Sequence, residues 1–263
     1  MPYLVFELRA MPVDTMQAFM EYASHFDSAN NGKMNLKIVH TQAVTEMMNQ
    51  LTEKLDLPQR MQELAYVTAV YHDIGRFEQL KRYNTFWDHQ SIDHAELSCE
   101  ILKEEHLLEG FTEREQQMIL TAISNHNKLD IEPGLDEETL LLCRLIRDAD
   151  KCDIYRVFAF EDMVDTMNET LEQVARETVT DIVYETVLAH RCVKREDRET
   201  GLDVWVGFLS FVFDINFKES MEYVQEKGYY KIPFEQVTFT NPQTVERIRK
   251  IFEVVEGYMR GMK

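Results

Sequence analysis

Apolar residues recur every three to four positions along most of this chain, and that period predicts helices rather than strands. Across 34–55 they fall at Leu36, Val39, Ala43, Val44, Met47, Met48 and Leu51, with His40 inside the run. Pro58 opens a second predicted helix through Leu64, Ala65, Val67, Ala69 and Val70 to His72-Asp73, with Gly75 read as its stop. Further helices are predicted at 14–27, with Asp14 as N-cap, and at 93–105, 113–124, 137–160, 161–188, 203–227 and 242–262. Asn30-Asn31-Gly32, the loop 130–136 with Pro133-Gly134, and the charged connection 191–201 read as breaks. Two stretches lack a clean period. Residues 76–90, aromatic and basic, read as a functional loop or short helix, and 229–239, with alternating aromatics, as an extended loop. No repeat and no domain boundary stands out, so the expectation is one all-α domain over 1–263.

Composition agrees with the pattern. Only 9 Gly and 6 Pro interrupt a chain of 263 residues that is 44% hydrophobic, which favours helices around a sizeable core. The formal net charge of −19 changes the functional picture more. A nucleic-acid polymer needs a basic face, so extended DNA or RNA binding is disfavoured. A small anionic substrate stays compatible, because bound metal ions reverse the local potential. The acidity also has a plain reading, as a contribution to solubility. Cys99, Cys143, Cys152 and Cys192 form no Cys-x-x-Cys pair and read as free thiols in a reducing compartment. Residues 1–13 lack a long apolar core of the signal-peptide kind, and no apolar run reaches membrane-spanning length. A cytoplasmic protein with no membrane partner is expected, with homodimerisation as the base-rate expectation.

The candidate chemistry lies in histidines and acids. His72 and Asp73 are adjacent, so on a continuous helix they point about 100° apart. Near a helix end both can converge on one ion, and imidazole with carboxylate suits Mn, Fe, Co, Ni or Zn better than Ca. Taken alone, His-Asp is most simply a solvated helix end. Asp150 sits in Arg-Asp-Ala-Asp-Lys-Cys-Asp, directly after the apolar turns Leu140, Leu141, Leu142, Leu145 and Ile146. Such charges either mark emergence into solvent or line a polar cavity.

The order His40, His72-Asp73, Asp150 resembles the HD superfamily of metal-dependent phosphohydrolases, and His72-Asp73-Ile74-Gly75 matches its His-Asp-Ile-Gly signature variant. The resemblance covers about 34–160, leaving 161–263 as a helical extension packing on the core. It implies an all-α HD helical bundle with additional C-terminal helices. It also implies His40, His72, Asp73 and Asp150 as ligands of one divalent transition-metal ion, with Asp148 behind them. His94, in Asp-His-Ala-Glu-Leu-Ser-Cys-Glu-Ile-Leu, resembles the family's following helix, with Ser98 in place of the usual Gly. His126 falls where two-metal members carry a histidine. These two, with Asp73 bridging, would hold a second ion; His89 competes with His94 for that role. The Gly-Tyr-Pro motif of the cyclic-dinucleotide subclass is missing from the sequence, and no Glu-Asp pair closely follows His72-Asp73 as in the alarmone hydrolases.

The resulting expectation is hydrolysis of a nucleotide or other small phosphate ester by metal-activated water. Asp73, Arg76 and Lys151 would act at the reacting phosphate, Arg76 as a fork and Lys151 as a point charge. Lys81 and Arg82 would guard the entrance, against the plainer reading of surface charge. Tyr83, Phe86 and Trp87 would stack on a base, against the plainer reading of packing. The cluster Trp205, Phe208, Phe211, Phe213 and Phe217 reads as buried helix, and the extension as a lid, a dimer surface or helices closing the pocket. Two rivals remain: a di-iron oxygenase on the same fold, marked by bound iron and O₂ consumption, and a non-catalytic sensor or scaffold, which predicts damaged ligands.

Overall fold

The computed structural model describes residues 15–26, 31–161 and 170–262, and among these there is no strand. The first seven helices are α1 (Thr15–Ser24), α2 (Gly32–Lys54), α3 (Gln59–Tyr71), α4 (Gly75–Tyr83), α5 (His94–Glu104), α6 (Glu113–Asn125) and α7 (Glu137–Phe160). Local sequence sets several of their starts. Asn31 accepts the Lys33 N–H at 3.1 Å to begin α2, and Asp93 accepts the Ala95 N–H at 2.9 Å to begin α5. Thr112 and Glu115 form a reciprocal capping box on α6, and Asp136 caps α7. The predicted cap Asp14 and the break at Asn30 lie outside the described residues.

α2, α3, α6 and α7 pack on one another around a core that includes Met48, Leu51, Ala69, Val70, Ile123 and Ile146, and α5 lies against α4 and α6. Gly75 does not stop a helix as expected; it starts α4 after the tight turn 72–74. What requires glycine there is space. A Cβ on Gly75 would lie 2.5 Å from the His94 carbonyl oxygen and 2.7 Å from the Ser98 nitrogen, so α4 and α5 meet backbone to backbone. The first half of 76–90 is the helix α4, and the rest is an irregular segment with a 3₁₀ turn, Asp88–Gln90.

The C-terminal part adds α8 (Leu171–Arg176), α9 (Asp181–Leu188), α10 (Gly201–Leu209), α11 (Lys218–Lys227), α12 (Ile232–Glu235) and α13 (Pro242–Gly261). The continuous helix expected over 161–188 is not found. Residues 162–169 lie outside the described residues, and 177–180 separate α8 from α9 in non-helical conformation. Asp203 explains that break. Its carboxylate accepts the Thr180 N–H at 2.9 Å from one side and the Glu199 N–H at 3.1 Å from the other, so it pins a loop rather than a helix. The helix expected over 203–227 is likewise divided, by a 3₁₀ turn at Ser210–Asp214 and extended residues 215–217. Residues 229–239 hold a 3₁₀ turn and α12 instead of an extended loop, with Tyr230 and Phe234 buried against α7 and its neighbours.

Candidate metal centre

Three helices and two helix ends bring the sequence-selected residues together. His40 comes from the middle of α2, Asp150 from the middle of α7 and His94 from the first residue of α5; His72 and His126 are the residues directly after α3 and α6. All are buried, as is Asp73 in the turn 72–74. The turn is fixed from α5: the Ser98 hydroxyl accepts the Gly75 N–H at 2.9 Å and lies 3.0 Å from the His72 carbonyl oxygen and 2.8 Å from that of His94. A hydroxyl at 98 thus ties the two histidine-bearing backbones to each other.

The ligand-type atoms converge. His40 Nε2 lies 3.3 Å from His72 Nε2 and 3.1 Å from Asp150 Oδ1. His94 Nε2 lies 3.1 Å from His126 Nε2. Asp73 stands between the two groups. Its Oδ2 is 3.7 Å from His40 Nε2 and 3.8 Å from His72 Nε2, while its Oδ1 is 3.3 Å from His94 Nε2 and 3.8 Å from His126 Nε2. Two ligands bonded at about 2.1 Å to one ion are separated by roughly 3.0–3.4 Å, so the shorter of these distances match edges of a coordination polyhedron.

Hydrogen bonds fix which nitrogen carries the proton. His40 Nδ1 donates to Asp153 at 2.7 Å, His94 Nδ1 to Asp88 at 2.8 Å, His72 Nδ1 to the Ala69 carbonyl at 2.8 Å and His126 Nδ1 to the Ile123 carbonyl at 2.6 Å. Every Nδ1 faces an acceptor that has no proton to give, so a neutral ring must carry its hydrogen there. Four Nε2 lone pairs are then left pointing at one another and at carboxylates. Asp73 Oδ1, buried, has no hydrogen-bond partner among the described residues. Lone pairs in this arrangement repel unless cations lie among them, and the donor set fits one or two divalent transition-metal ions.

Charge states agree at three of the four histidines. Burial pushes the pKa values of His72, His94 and His126 down, with Arg76 adding to the effect at His94, and that of His126 falls to about 3. For His40, burial and Lys37 act downward, yet the bonds to Asp150 and Asp153 outweigh them and raise it. Asp73 resists the upward push of burial because Lys37, His72, Arg76 and His94 surround it, and it stays well below the ordinary carboxylate range. Hydrogen bonding and charge from His40 do the same for Asp150.

The neighbours of the centre correct several sequence expectations. Asp148 does not stand behind the ligands. Two residues on a helix turn it by about 200°, so Asp148 points away from Asp150 and accepts the Asn216 and Phe217 N–H groups at 2.9 Å each. Asp153, three residues after Asp150, takes the place behind His40. Lys37, three residues before His40, reaches Asp73 Oδ2 at 2.7 Å. Both follow from the i, i+3 spacing that puts residues on one helix face. Asp88 carried no such signal, since it lies in an irregular turn. His89 is exposed and bonds Gln90, so His94 is the histidine brought to the centre. Lys81 and Arg82 sit on exposed α4 positions, pair with Glu78 and do not line the cavity described next.

The centre opens into a cavity of about 580 Å³. One stripe of α7 lines it with Arg147, Asp150, Lys151, Ile154 and Phe158, at helical spacing. Phe86 and Trp87 line it too, whereas Tyr83 does not. Arg76 is held at the wall, its Nη1 donating to the Phe86 carbonyl at 2.8 Å and to Asp88 at 3.1 Å. Lys151 lies 2.8 Å from Asp214. The extension supplies much of the remaining wall through Cys192, Arg195, Arg198, Phe208, Phe211 and Asp214. Of its aromatic cluster, Trp205 is fully buried and Phe208 and Phe211 face the cavity. Eight lysines and arginines line this cavity against six carboxylates, in a chain with 28 basic and 47 acidic side chains.

No helix among the described residues is long and apolar enough to cross a membrane. No curated protein and no solved structure matches the chain at a significant level. One family profile does match, that of the HD domain, over residues 38–155. That span begins at α2 and ends in α7, and encloses all six converging residues. Residues 38–155 of this chain are therefore an HD domain, and further helices follow it.

Proposed function

We propose that this protein is a metal-dependent phosphohydrolase acting on a small phosphate ester, such as a nucleotide, in the cavity beside the HD residues. HD domains are usually enzymes of this class. The observation that carries the reading is the set of four Nε2 lone pairs, each fixed by a proton acceptor on Nδ1, around the bridging position of Asp73. His40, His72, Asp73 and Asp150 would hold one ion, and Asp73, His94 and His126 a second. Bound there, the metal would supply Lewis acidity toward phosphoryl oxygens and a water activated near neutral pH.

The chain's own residues would do the rest. Asp153 and Asp88 keep the His40 and His94 rings oriented and their Nε2 atoms unprotonated. Lys37 and Arg76 offset the charge of Asp73 and border the place where a phosphate would lie. Lys151, beside Asp150 and tethered to Asp214, presents an ammonium to the same space. The basic excess of the cavity attracts an anion that the acidic exterior would repel. Phe86, Trp87, Phe208 and Phe211 offer apolar faces to the rest of the ester.

Elemental analysis of protein purified without chelators or a metal-affinity tag tests the reading, together with release of phosphate from a panel of monoesters. Two ions per chain are expected, falling to one or none in His126→Ala and to none in His72→Ala, with phosphatase activity following metal content. Failure to take up Mn, Fe, Co, Ni or Zn on reconstitution would overturn it. Bound iron with O₂ consumption and no phosphate release would point instead to an oxygenase.

A further inference from the structure

The cations around the cavity are not alike. Lys37, Arg76, Lys128, Arg147, Lys151 and Arg195 each have a carboxylate within 4.0 Å. Lys194 and Arg198 have none among the described residues, but Lys194 is exposed to solvent, whereas Arg198 is half-buried in the wall formed by the extension. Its Nη2 donates to the Val193 carbonyl at 3.0 Å, its buried Nε has no acceptor, and no partner is found for Nη1. The head group is nonetheless held in place. It lies against the bare backbone of α10 at Gly207, where a Cβ would come within 2.5 Å of Nε and 2.6 Å of Cζ, and its Cζ is 5.9 Å from the Phe208 ring centroid. A glycine that makes room for it, one carbonyl that orients it and an aromatic face beside it form a built cradle for a cation. Burial and the nearby Arg195 lower its pKa to about 10, so it remains charged near neutrality.

A half-buried guanidinium without a counter-charge is costly unless an anion meets it. Resting on the phosphohydrolase reading, we propose that Arg198 is a specificity-determining residue that binds a second anionic group of the substrate, a carboxylate or a phosphate. The substrate class narrows accordingly to phosphate esters that carry a further anion, and simple monoesters of neutral alcohols become poor substrates. The planar fork of arginine suits either oxyanion.

The test uses the metal-loaded full chain and non-hydrolysable probes, so that it does not depend on turnover. Binding of ω-carboxyalkyl phosphonates, ω-phosphonoalkyl phosphonates and plain alkyl phosphonates of matched length is measured by calorimetry. The wild type should prefer one second-anion series at one chain length by about 10–100-fold, the range of a charge-assisted hydrogen bond. Whether the carboxylate or the phosphonate series shows the gain distinguishes the two anions. Arg198→Met should abolish the preference while leaving alkyl phosphonate affinity and metal content unchanged. Arg198→Lys should restore part of it, and Gly207→Ala, which displaces the head group without removing charge, should reduce it. A wild type with no preference at any length, or a preference that survives in Arg198→Met, would overturn the proposal. Phosphonate binding without hydrolysis of any phosphate ester would instead overturn the phosphohydrolase reading and leave Arg198 to be judged by binding alone.

Discussion

Asp153→Asn separates a metal-supporting carboxylate from a structural one when paired with Asp148→Asn. Asp153 Oδ2 accepts the His40 Nδ1 proton at 2.7 Å, and both side chains are buried. Asparagine keeps an acceptor oxygen but removes the negative charge that makes His40 a strong donor toward a cation. Removing a partner behind a metal-binding histidine weakens affinity about 10–100-fold, or roughly 1.4–2.7 kcal/mol. Arg156, which bonds Asp153 at 2.5 and 3.0 Å, keeps Glu161 at 3.4 Å, so part of the local charge balance survives. Asp148 holds backbone N–H groups of 216 and 217, and its replacement should leave metal affinity within about twofold. Its cost falls on the fold instead, about 1–3 kcal/mol for groups left without a full acceptor, or roughly 2–4 °C in Tm for each kcal/mol. Competition against a colorimetric chelator near neutral pH, with thermal unfolding of the chelator-treated proteins, reads both quantities. Equal weakening of metal binding by the two variants, or unchanged affinity in Asp153→Asn, would refute the assignment of roles.

The metal-free protein should lose stability as pH falls from about 6.5 toward about 3. The unfolded chain takes up protons on its histidines near the ordinary value, while buried His72, His94 and His126 do not, the last until about 3. His40, whose pKa is raised, opposes this with stability that is present at low pH and lost as pH rises through its folded value, and Asp73 and Asp150 add a further loss below about 4. Urea midpoints that stay flat between pH 6.5 and 4 would contradict this balance. Gly75→Ala should destabilise by about 1–3 kcal/mol or more, because its methyl group meets backbone atoms of α5 that cannot step aside, and chemical denaturation that finds less than about 0.5 kcal/mol would contradict the close approach. Arg147→Met should cost about 2–3 kcal/mol, since its guanidinium holds the carbonyls of Asn125, Lys128 and Leu129 behind His126, and the His126-dependent share of bound metal should fall with it.

The HD core was legible in the sequence because its information is local or periodic. α2, α3, α6 and α7 follow from apolar spacing, and the cap residues at 93, 112 and 136 mark where α5, α6 and α7 begin. The six converging residues were legible as a motif. Their geometry was only half so: adjacent His72 and Asp73 converge because the chain leaves α3 for a tight turn, which the pattern placed one element too late by reading Gly75 as a stop. Asp153 and Lys37 were available from i, i+3 spacing, and Asp148 could have been set aside by the same arithmetic. Asp88 and Arg198 were not available, because each lies in an irregular segment whose position is set by tertiary contacts. The divided helices of the extension failed for the same reason. Asp203, Asp148 and Ser210 bind backbone N–H groups far away in sequence, and nothing in a local window shows that the chain there is held by side chains instead of by its own helix.

That contrast bears on where selectivity resides. The centre itself is made from residues 40 to 150; on the proposed function the HD domain would supply the metal and the attack on phosphorus, which do not distinguish one ester from another. Much of the remaining cavity wall comes from residues 192 to 214, a segment anchored to the domain at a few points: Asp214 to Arg147 and Lys151, Arg195 to Asp88 at 3.6 Å, and, just beyond it, the backbone of 216 and 217 to Asp148. Arg195 and Asp88 link that wall directly to the His94 ring. On the proposed function, an ester that fills the cavity must therefore satisfy Phe208, Phe211 and Arg198 while its phosphate reaches the metal centre. Changes confined to Arg198, Phe208 and Phe211, which bond none of the converging residues or their direct supports, should alter which ester is turned over, and leave metal content as it was.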